Sequence, residues 1–442
     1  MGTAAALVGS LLAPRAEAQA AQRRCLIRLV HADRTYTAGQ DNFFGGGDVR
    51  LRCDGTTILM ASDSLASYGG QVVEFIGHVR YQDSSMVMTA ERGTYRREGE
   101  RWEARGNVVT RTTGGSTLRG PSLDYYRALP GLRDTVEVFA PGRPTIDYVP
   151  RDSAGNVQEP YVIVGDRIRM KGEDRLWAGG RVTIDRSDLS ASADSMRLDT
   201  GAGQDGVLVR NAVIRGLGKD PFSLAGNRID LTLEENELTY VQADGDGKAT
   251  STDWTLVADT IGLDVNDRVL EQTFAWGTGI RPHAVSTTYE ITADSVVLDT
   301  PAKVLTEARA FGSAWVANGE DTTAADRDWL RGDTVTARFR NTEAEGKGKT
   351  QLRQVDARQD ASAFYQVADP GRPGPPSLNY ARGQRIVVTM KADSAGGVAR
   401  VDIEGKVDGV QLEPKAPVAA DTAVKRDSLT AAPATTPATV EP

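Results

Sequence analysis

Few residues in this 442-residue chain have the types and spacing that catalysis or metal binding requires. Its three histidines, His31, His78 and His283, lie far apart and in no metal-ligand spacing. The chain has no Gly-x-Ser-x-Gly motif, no glycine-rich loop of the kind that holds phosphate, and no nucleophile with a nearby base. The sequence therefore predicts that the protein is not an enzyme and needs no metal or other cofactor.

The aspartates that recur along the chain are the next candidates for chemistry. Six of them begin an alternating run: Asp63, Asp166, Asp194, Asp259, Asp294 and Asp333. They could serve carboxylate catalysis or a calcium-binding repeat, but their place at the start of each predicted strand favours corner capping and turn hydrogen bonds. The run D244-G-D-G-K hints at a calcium loop, yet it lacks the other ligands of such a loop and is better interpreted as a turn.

The charged residues bear on whether the chain binds lipid phosphate, nucleic acid or an anionic membrane. The arginines of R96-R-E-G-E-R101 could meet lipid phosphates, because arginine pairs bidentately with phosphate, whereas a solvated hairpin tip is the simpler interpretation. The formal net charge of −8 argues against a surface for nucleic acid or anionic membrane. We expect no nucleic-acid partner.

The elements that position these residues are short strands repeated along the chain. A pattern of a small residue, a polar pair, then apolar, any, apolar recurs as A-D-S-M-R-L (193–198), G-N-R-I-D-L (226–231), A-D-T-I-G-L (258–263) and A-D-S-V-V-L (293–298). Apolar residues two apart, as at Ile229 and Leu231, predict half-buried β-strands. A second pattern, apolar-x-apolar-x-Gly-x-Val, recurs at 73–79, 102–108, 176–182 and 401–407. Its glycine falls on the apolar side, where it would leave a gap or permit a bulge.

Stacked units of two such strands predict an all-β protein with a continuous apolar interior. Residues 24–150 form a first repeat region, and residues 160–410 form a second that continues it. Residues 411–442, rich in Ala, Pro and Thr, are too poor in large apolar residues to pack and are predicted to be disordered. The residues predicted to point inward are Phe75, Tyr95, Trp102, Leu123, Tyr125, Met196, Leu198, Ile229, Leu231, Ile261 and Leu263.

The N-terminus and the cysteines bear on location. Residues 1–20 combine an apolar run with the small-x-small pattern A16-E-A18, as an export signal does. Export would place the two cysteines, Cys25 and Cys53, in an oxidising compartment. A disulfide between two early strands is then plausible, and two unpaired, half-buried cysteines remain the alternative.

The repeated phrase, a strand ending in G-N-V, a turn, then A-D-x-apolar-x-apolar, resembles the OstA-like (LptA-like) repeat of the lipopolysaccharide-transport proteins. The matching copies cover roughly residues 45 to 410. The resemblance implies an elongated, antiparallel β-jellyroll whose apolar trough holds lipid acyl chains, and the inward residues would line that trough. It also implies a periplasmic carrier or bridge protein for lipopolysaccharide or a related glycolipid, associated with either membrane through partners. Those partners would be other OstA-like proteins, or further copies head to tail, joined by their edge strands.

Two other hypotheses remain open at this point. A filled β-solenoid could scaffold an envelope assembly without binding lipid. A parallel β-helix could act on polysaccharide, but it would need a cluster of carboxylates on one face, and the sequence shows none. Short glycine-rich turns between paired strands favour antiparallel neighbours.

Overall fold

The computed structural model describes residues 25–414, apart from residues 130, 153, 218–220, 236, 253, 267–268, 287–288, 302–303, 319–326, 345–346, 368–374 and 392–397. The described residues form one sheet of 28 strands, so the predicted all-β class is confirmed. The predicted export signal at residues 1–20 and residues 415–442 of the predicted tail lie outside the described part of the chain.

The strands follow one another from the first described residues to the last. In the N-terminal part they are β1 (Ile27–His31), β2 (Arg34–Ala38), β3 (Asn42–Cys53), β4 (Leu59–Tyr68), β5 (Val72–Gln82), β6 (Met86–Arg96), β7 (Arg101–Thr112), β8 (Thr117–Tyr126), β9 (Glu137–Pro141), β10 (Thr145–Tyr148), β11 (Tyr161–Val164), β12 (Arg167–Lys171), β13 (Arg175–Asp185) and β14 (Leu189–Asp199). The remainder are β15 (Asp205–Gly216), β16 (Phe222–Glu234), β17 (Glu237–Thr250), β18 (Trp254–Asn266), β19 (Val269–Trp276), β20 (His283–Ser286), β21 (Tyr289–Thr292), β22 (Ser295–Asp299), β23 (Glu307–Asn318), β24 (Trp329–Ala344), β25 (Lys347–Val367), β26 (Ser377–Met390), β27 (Val398–Glu404) and β28 (Asp408–Leu412).

The sheet is a meander. Each passage of the chain across it, here called a rung, pairs with the rungs that precede and follow it in the chain. Sixteen rungs are single strands, and six are interrupted midway, as where β9 and β10 both pair with β8. The pairings among the described strands are antiparallel, for example β5 with β6 and β14 with β15. The sheet continues through the Pro-containing segment near residues 150–160, because β10 pairs with β11. This pattern contradicts a parallel β-helix.

Alternate rungs, except the one formed by β19 and β20, carry a pair of residues with positive φ at mid-length. These pairs are Gly47–Asp48, Gly77–His78, Gly106–Asn107, Gly142–Arg143, Gly180–Arg181, Arg210–Asn211, Gly245–Asp246, Gly312–Ser313, Gln359–Asp360 and Gly405–Lys406. At such a pair the register with the neighbouring strand shifts, as between Ile76 and Val79 of β5. Bulges of this kind bend a strand and increase its twist. We call this series of bulges the bend row.

An acidic residue of the preceding rung lies opposite five of the eight glycines of the bend row. A Cβ atom built on Gly77 would lie 2.2 Å from Oδ2 of Asp63, and one on Gly312 would lie 2.3 Å from Oδ2 of Asp294. Asp63 is 59% exposed, so the open side of the glycine faces an outer carboxylate. The prediction that these glycines leave a gap in the apolar interior is therefore wrong, whereas the bulges it also allowed are present.

Four of the six aspartates lie within strands, contrary to the prediction, whereas Asp166 and Asp294 directly precede β12 and β22, as predicted. Asp63 and Asp194 lie near the middle of β4 and β14, and Asp166 lies where β11 gives way to β12. Sequence alternation located only half of each rung, because the bulge interrupts the period of two. The expected turn hydrogen bonds do occur between β19 and β20, where Asp259 accepts bonds from the backbone N–H groups of Thr278, Gly279 and Ile280.

Replacing Gly77 with alanine should destabilise the fold. Its φ of +78° lies in the left-handed region, which costs an L-residue roughly 1–2 kcal/mol, and the new methyl group would also displace Asp63. The matched control is Gly46→Ala in β3, where a Cβ atom would meet nothing within 4 Å. Urea unfolding of both variants should show a loss for Gly77→Ala only. An equal response of the two variants would show that the bend is not formed in solution.

The inner face of the folded sheet holds one hydrophobic cluster that runs from Cys25 to Ile386. It is built from both halves of the rungs, which meet face to face. Tyr81, beyond the bend of β5, lies 5.0 Å from Trp102, before the bend of β7, between ring centroids. The two halves of each rung thus form two facing walls, joined along the bend row.

Candidate functional site

The predicted inward residues do lie together on the inner face. Nine of the eleven are buried in the hydrophobic cluster, and the other two, Leu198 and Leu231, are partly buried and pack against it. Alternation in the sequence thus located the interior. Whether the interior can receive a ligand depends on how tightly its walls close, and this differs along the chain.

Aromatic side chains fill the interior near the N-terminal end. Trp102 lies 4.9 Å from Phe75 and 6.4 Å from Tyr95, between ring centroids. It lies over Gly93, where a Cβ atom would come within 2.6 Å of the indole. Tyr81 also contacts Tyr125, with ring centroids 5.7 Å apart. The predicted lining residues of this region are therefore a packed core.

The hairpin turns alternate between two margins of the folded sheet. The turns after β4, β6, β8, β12 and β14 lie on the first margin, and the turns after β3, β5, β7, β10 and β13 lie on the second. Four hydrogen-bonded contacts, here called the margin ties, join the two margins: Cys25 to Glu100, Asp83 to Tyr125, Gly114 to Glu173, and Tyr148 to Thr200. All four lie between residues 25 and 200.

The margin tie between Asp83 and Tyr125 is reinforced by burial. The hydroxyls of Tyr81 and Tyr125 both donate to Oδ2 of Asp83, at 2.9 and 2.5 Å. Burial, followed by the charge of Asp83, raises the pKa of both tyrosines well above the usual range. Both phenols therefore remain protonated donors, and the contact persists over the physiological pH range.

The margin tie between Cys25 and Glu100 is the most deeply buried of the four. Glu100 accepts a hydrogen bond from the backbone N–H of Cys25 at 2.6 Å and forms an ion pair with Arg127 at 2.6 Å. Its side chain is only 2% exposed. Cys25 and Cys53 are joined by a disulfide, with their Cα atoms 5.0 Å apart. The N-terminal end of the interior is thus closed by the hydrogen bond between Cys25 and Glu100, while the disulfide anchors Cys25 to β3 and the ion pair with Arg127 holds Glu100 in place.

Beyond residue 200 the fully buried hydrophobic side chains are aliphatic. Leu198 and Leu231 meet across Gly206, where a Cβ atom would lie 3.1 Å from Leu231 and 3.5 Å from Leu198. Both leucines lie close to the first margin and are not fully buried. They are the two predicted lining residues that are not fully buried, so a ligand at this margin could contact them.

A cavity that the sequence did not predict lies between the walls at the C-terminal end. It has a volume of about 120 Å³. Its lining includes Leu330, Leu352, Val355, Tyr365, Val388 and Met390. These residues come from three rungs, β24 to β26, and no short motif unites them. A signal was nevertheless present, because apolar residues two apart continue through Ile386 and Val388 to Met390, where β26 ends.

The other candidates for chemistry lie on the outer surface. His78 is 91% exposed, and its Nδ1 lies 2.8 Å from Oδ2 of Asp63. Arg96 and Arg101, at the hairpin considered for phosphate, form ion pairs with Glu103 and Asp124. Within the described ranges, no group of three or more His, Cys, Asp or Glu side chains is placed to hold a metal ion. No helix in the described part of the chain is long and apolar enough to cross a membrane.

No protein-family model matches the chain, and no characterised protein matches it in sequence.

Proposed function

We propose that the protein is a periplasmic carrier or bridge protein for lipopolysaccharide or a related glycolipid, and that it holds acyl chains between the walls of an elongated, OstA-like β-jellyroll. The observation that supports this proposal best is the continuous apolar inner face, which is closed at its N-terminal end and has a cavity at its C-terminal end. Each CH₂ group that leaves water for such an interior gains roughly 0.8 kcal/mol. Binding of an acyl chain is therefore favourable wherever the walls admit it.

The two ends of the sheet fit the proposed contacts with other proteins. The first rung, β1 and β2, pairs with β3, and the last, β27 and β28, pairs with β26. The outer edge of each of these two rungs pairs with no other described strand. β28 is exposed along its whole length, and Val410 is 57% exposed. An edge strand of this kind is a template for β-augmentation. Its partner would be another OstA-like protein, or a second copy of this chain joined head to tail.

The disulfide supports the proposed location. A bond between Cys25 and Cys53 persists in an oxidising compartment, and the periplasm is one. Export through the signal at residues 1–20 would deliver the chain there.

The alternative function is an envelope scaffold that binds no lipid. The observation that favours it is the packing around Trp102, where aromatic rings and the margin ties leave the interior filled. The two hypotheses differ in what happens beyond residue 200, where the fully buried hydrophobic side chains are aliphatic and a cavity is present.

Photo-crosslinking tests the choice between carrier and scaffold. A photoreactive amino acid at Leu198 or Leu231 should crosslink to glycolipid in cells, and mass spectrometry of the purified protein should find the same glycolipid. Ile76, on the outer face of β5 and 48% exposed, is the matched control and should not crosslink. Absence of glycolipid from the purified protein and from both crosslinking sites would overturn the carrier hypothesis in favour of the scaffold.

A further inference from the structure

The lining of the cavity at the C-terminal end is mostly apolar, and Asp328 is the one charged side chain among its described residues, which also include Asn318 and two tyrosines. Asp328 precedes β24 and lines the cavity beside Trp329. Its Oδ1 accepts a hydrogen bond from the backbone N–H of Gln366 at 2.9 Å. A carboxylate has about four lone-pair sites, so this bond leaves Asp328 able to accept others.

The surroundings of Asp328 supply apolar contacts to the rest of a ligand. Val316, Leu330 and Ala363 come from one wall, and Val355, Val388 and Met390 come from the other. An apolar cavity of comparable size stays dry and accepts small hydrocarbons. Its lining therefore suits the end of an alkyl chain and disfavours a charge that has no partner in the same space.

We propose that this cavity binds a hydrocarbon chain whose polar group donates a hydrogen bond to Asp328, such as a hydroxyl or an ammonium, and that it rejects the corresponding carboxylate; this inference rests on the proposed carrier function and assigns one subsite within it. The ligand's donor takes the acceptor positions that Gln366 leaves free. A carboxylate at the same place brings a second negative charge to a partly desolvated site and has no proton to donate.

The electrostatic state of Asp328 agrees with this assignment. Burial raises the pKa of its carboxyl group, and the single backbone hydrogen bond only partly opposes this effect. The nearest strong cation in sequence, Arg327, forms an ion pair with Glu290 at 2.7 Å and stacks over Trp315. In the part of the chain that the structure describes, the backbone N–H of Gln366 is the one hydrogen-bond donor to the Asp328 carboxylate, and a donor carried by the ligand would stabilise its charged form.

Quenching of tryptophan fluorescence by bromine tests the assignment on the full-length protein. The probes are 2-bromododecan-1-ol and 2-bromododecanoate, used below the concentrations at which they form micelles. Bromine next to the polar group would lie near Trp329, so the alcohol should quench the wild type. Quenching should be lost in Trp329→Phe and retained in Trp276→Phe, a matched variant on an exposed rung position.

Selectivity gives the second measurement. The carboxylate should bind at least about tenfold more weakly than the alcohol, and Asp328→Asn should reduce the difference to less than about threefold. Quenching that survives Trp329→Phe, or equal binding of the two probes to the wild type, would overturn the assignment. Thermal unfolding of each variant verifies that it is folded.

Crosslinking at Leu231 separates failure of this inference from failure of the carrier function. Glycolipid crosslinking at Leu231 without quenching at Trp329 would overturn the cavity assignment alone. If neither crosslinking nor quenching is observed, both the subsite and the carrier hypothesis are overturned.

Discussion

Replacing Glu100 with alanine should lower the free energy of unfolding by about 3–5 kcal/mol, because the change leaves the charge of Arg127 buried without a partner. The guanidinium of Arg127 is only 11% exposed and forms its ion pair with Glu100 at 2.6 Å. The backbone N–H of Cys25 loses its acceptor in the same variant. Urea unfolding followed by circular dichroism measures the loss.

A double variant separates the ion pair from the rest of the site. Glu100→Gln with Arg127→Met removes both charges and keeps an acceptor for Cys25, so it should recover much of the stability that Glu100→Ala loses. Loss of an exposed ion pair costs less than about 1 kcal/mol. If Glu100→Ala costs no more than that, the margin tie between Cys25 and Glu100 is not formed in solution.

Replacing Trp102 with alanine should lower the free energy of unfolding by about 3–5 kcal/mol, the cost of removing a large buried aromatic side chain and leaving a cavity. Trp102 is 1% exposed and contacts Phe75 and Tyr81 from the two walls. Its loss therefore removes contacts that hold the walls together near the N-terminal end.

Trp276 provides the matched control for that change, since it is 40% exposed. Trp276→Ala should cost less than about 1 kcal/mol, because it leaves no buried cavity. Circular dichroism is the suitable signal for both variants, as each removes a tryptophan. Similar losses in the two variants would contradict the packed interior at Trp102.

The sequence was sufficient to predict the strands and the side of each strand that faces inward. Apolar residues two apart, such as Leu123 and Tyr125, are both buried. This succeeded because burial of one face is a local property with a period of two. The same logic misplaced Gly77, because a residue with φ of +78° leaves the alternation and turns its open side outward.

The margin ties and the C-terminal cavity could not be predicted in the same way. Cys25 and Glu100 are 75 residues apart, and Tyr125 is 42 residues from Asp83. No spacing rule relates such residues, because their meeting depends on how the two walls fold over one another. The cavity is likewise defined by the side chains that end the sheet, which a repeat pattern does not distinguish from those inside it.

The meander of rungs determines how far one molecule extends along the hydrogen-bonding direction of its sheet. Because each rung pairs with the rungs next to it in the chain, insertion or loss of one hairpin leaves the other pairings and the alternation of the bend row unchanged. Neighbouring strands lie about 4.8 Å apart, so each hairpin adds roughly 10 Å to the sheet along its hydrogen-bonding direction. The distance that one molecule covers is therefore a discrete quantity, set by the number of hairpins that its gene encodes.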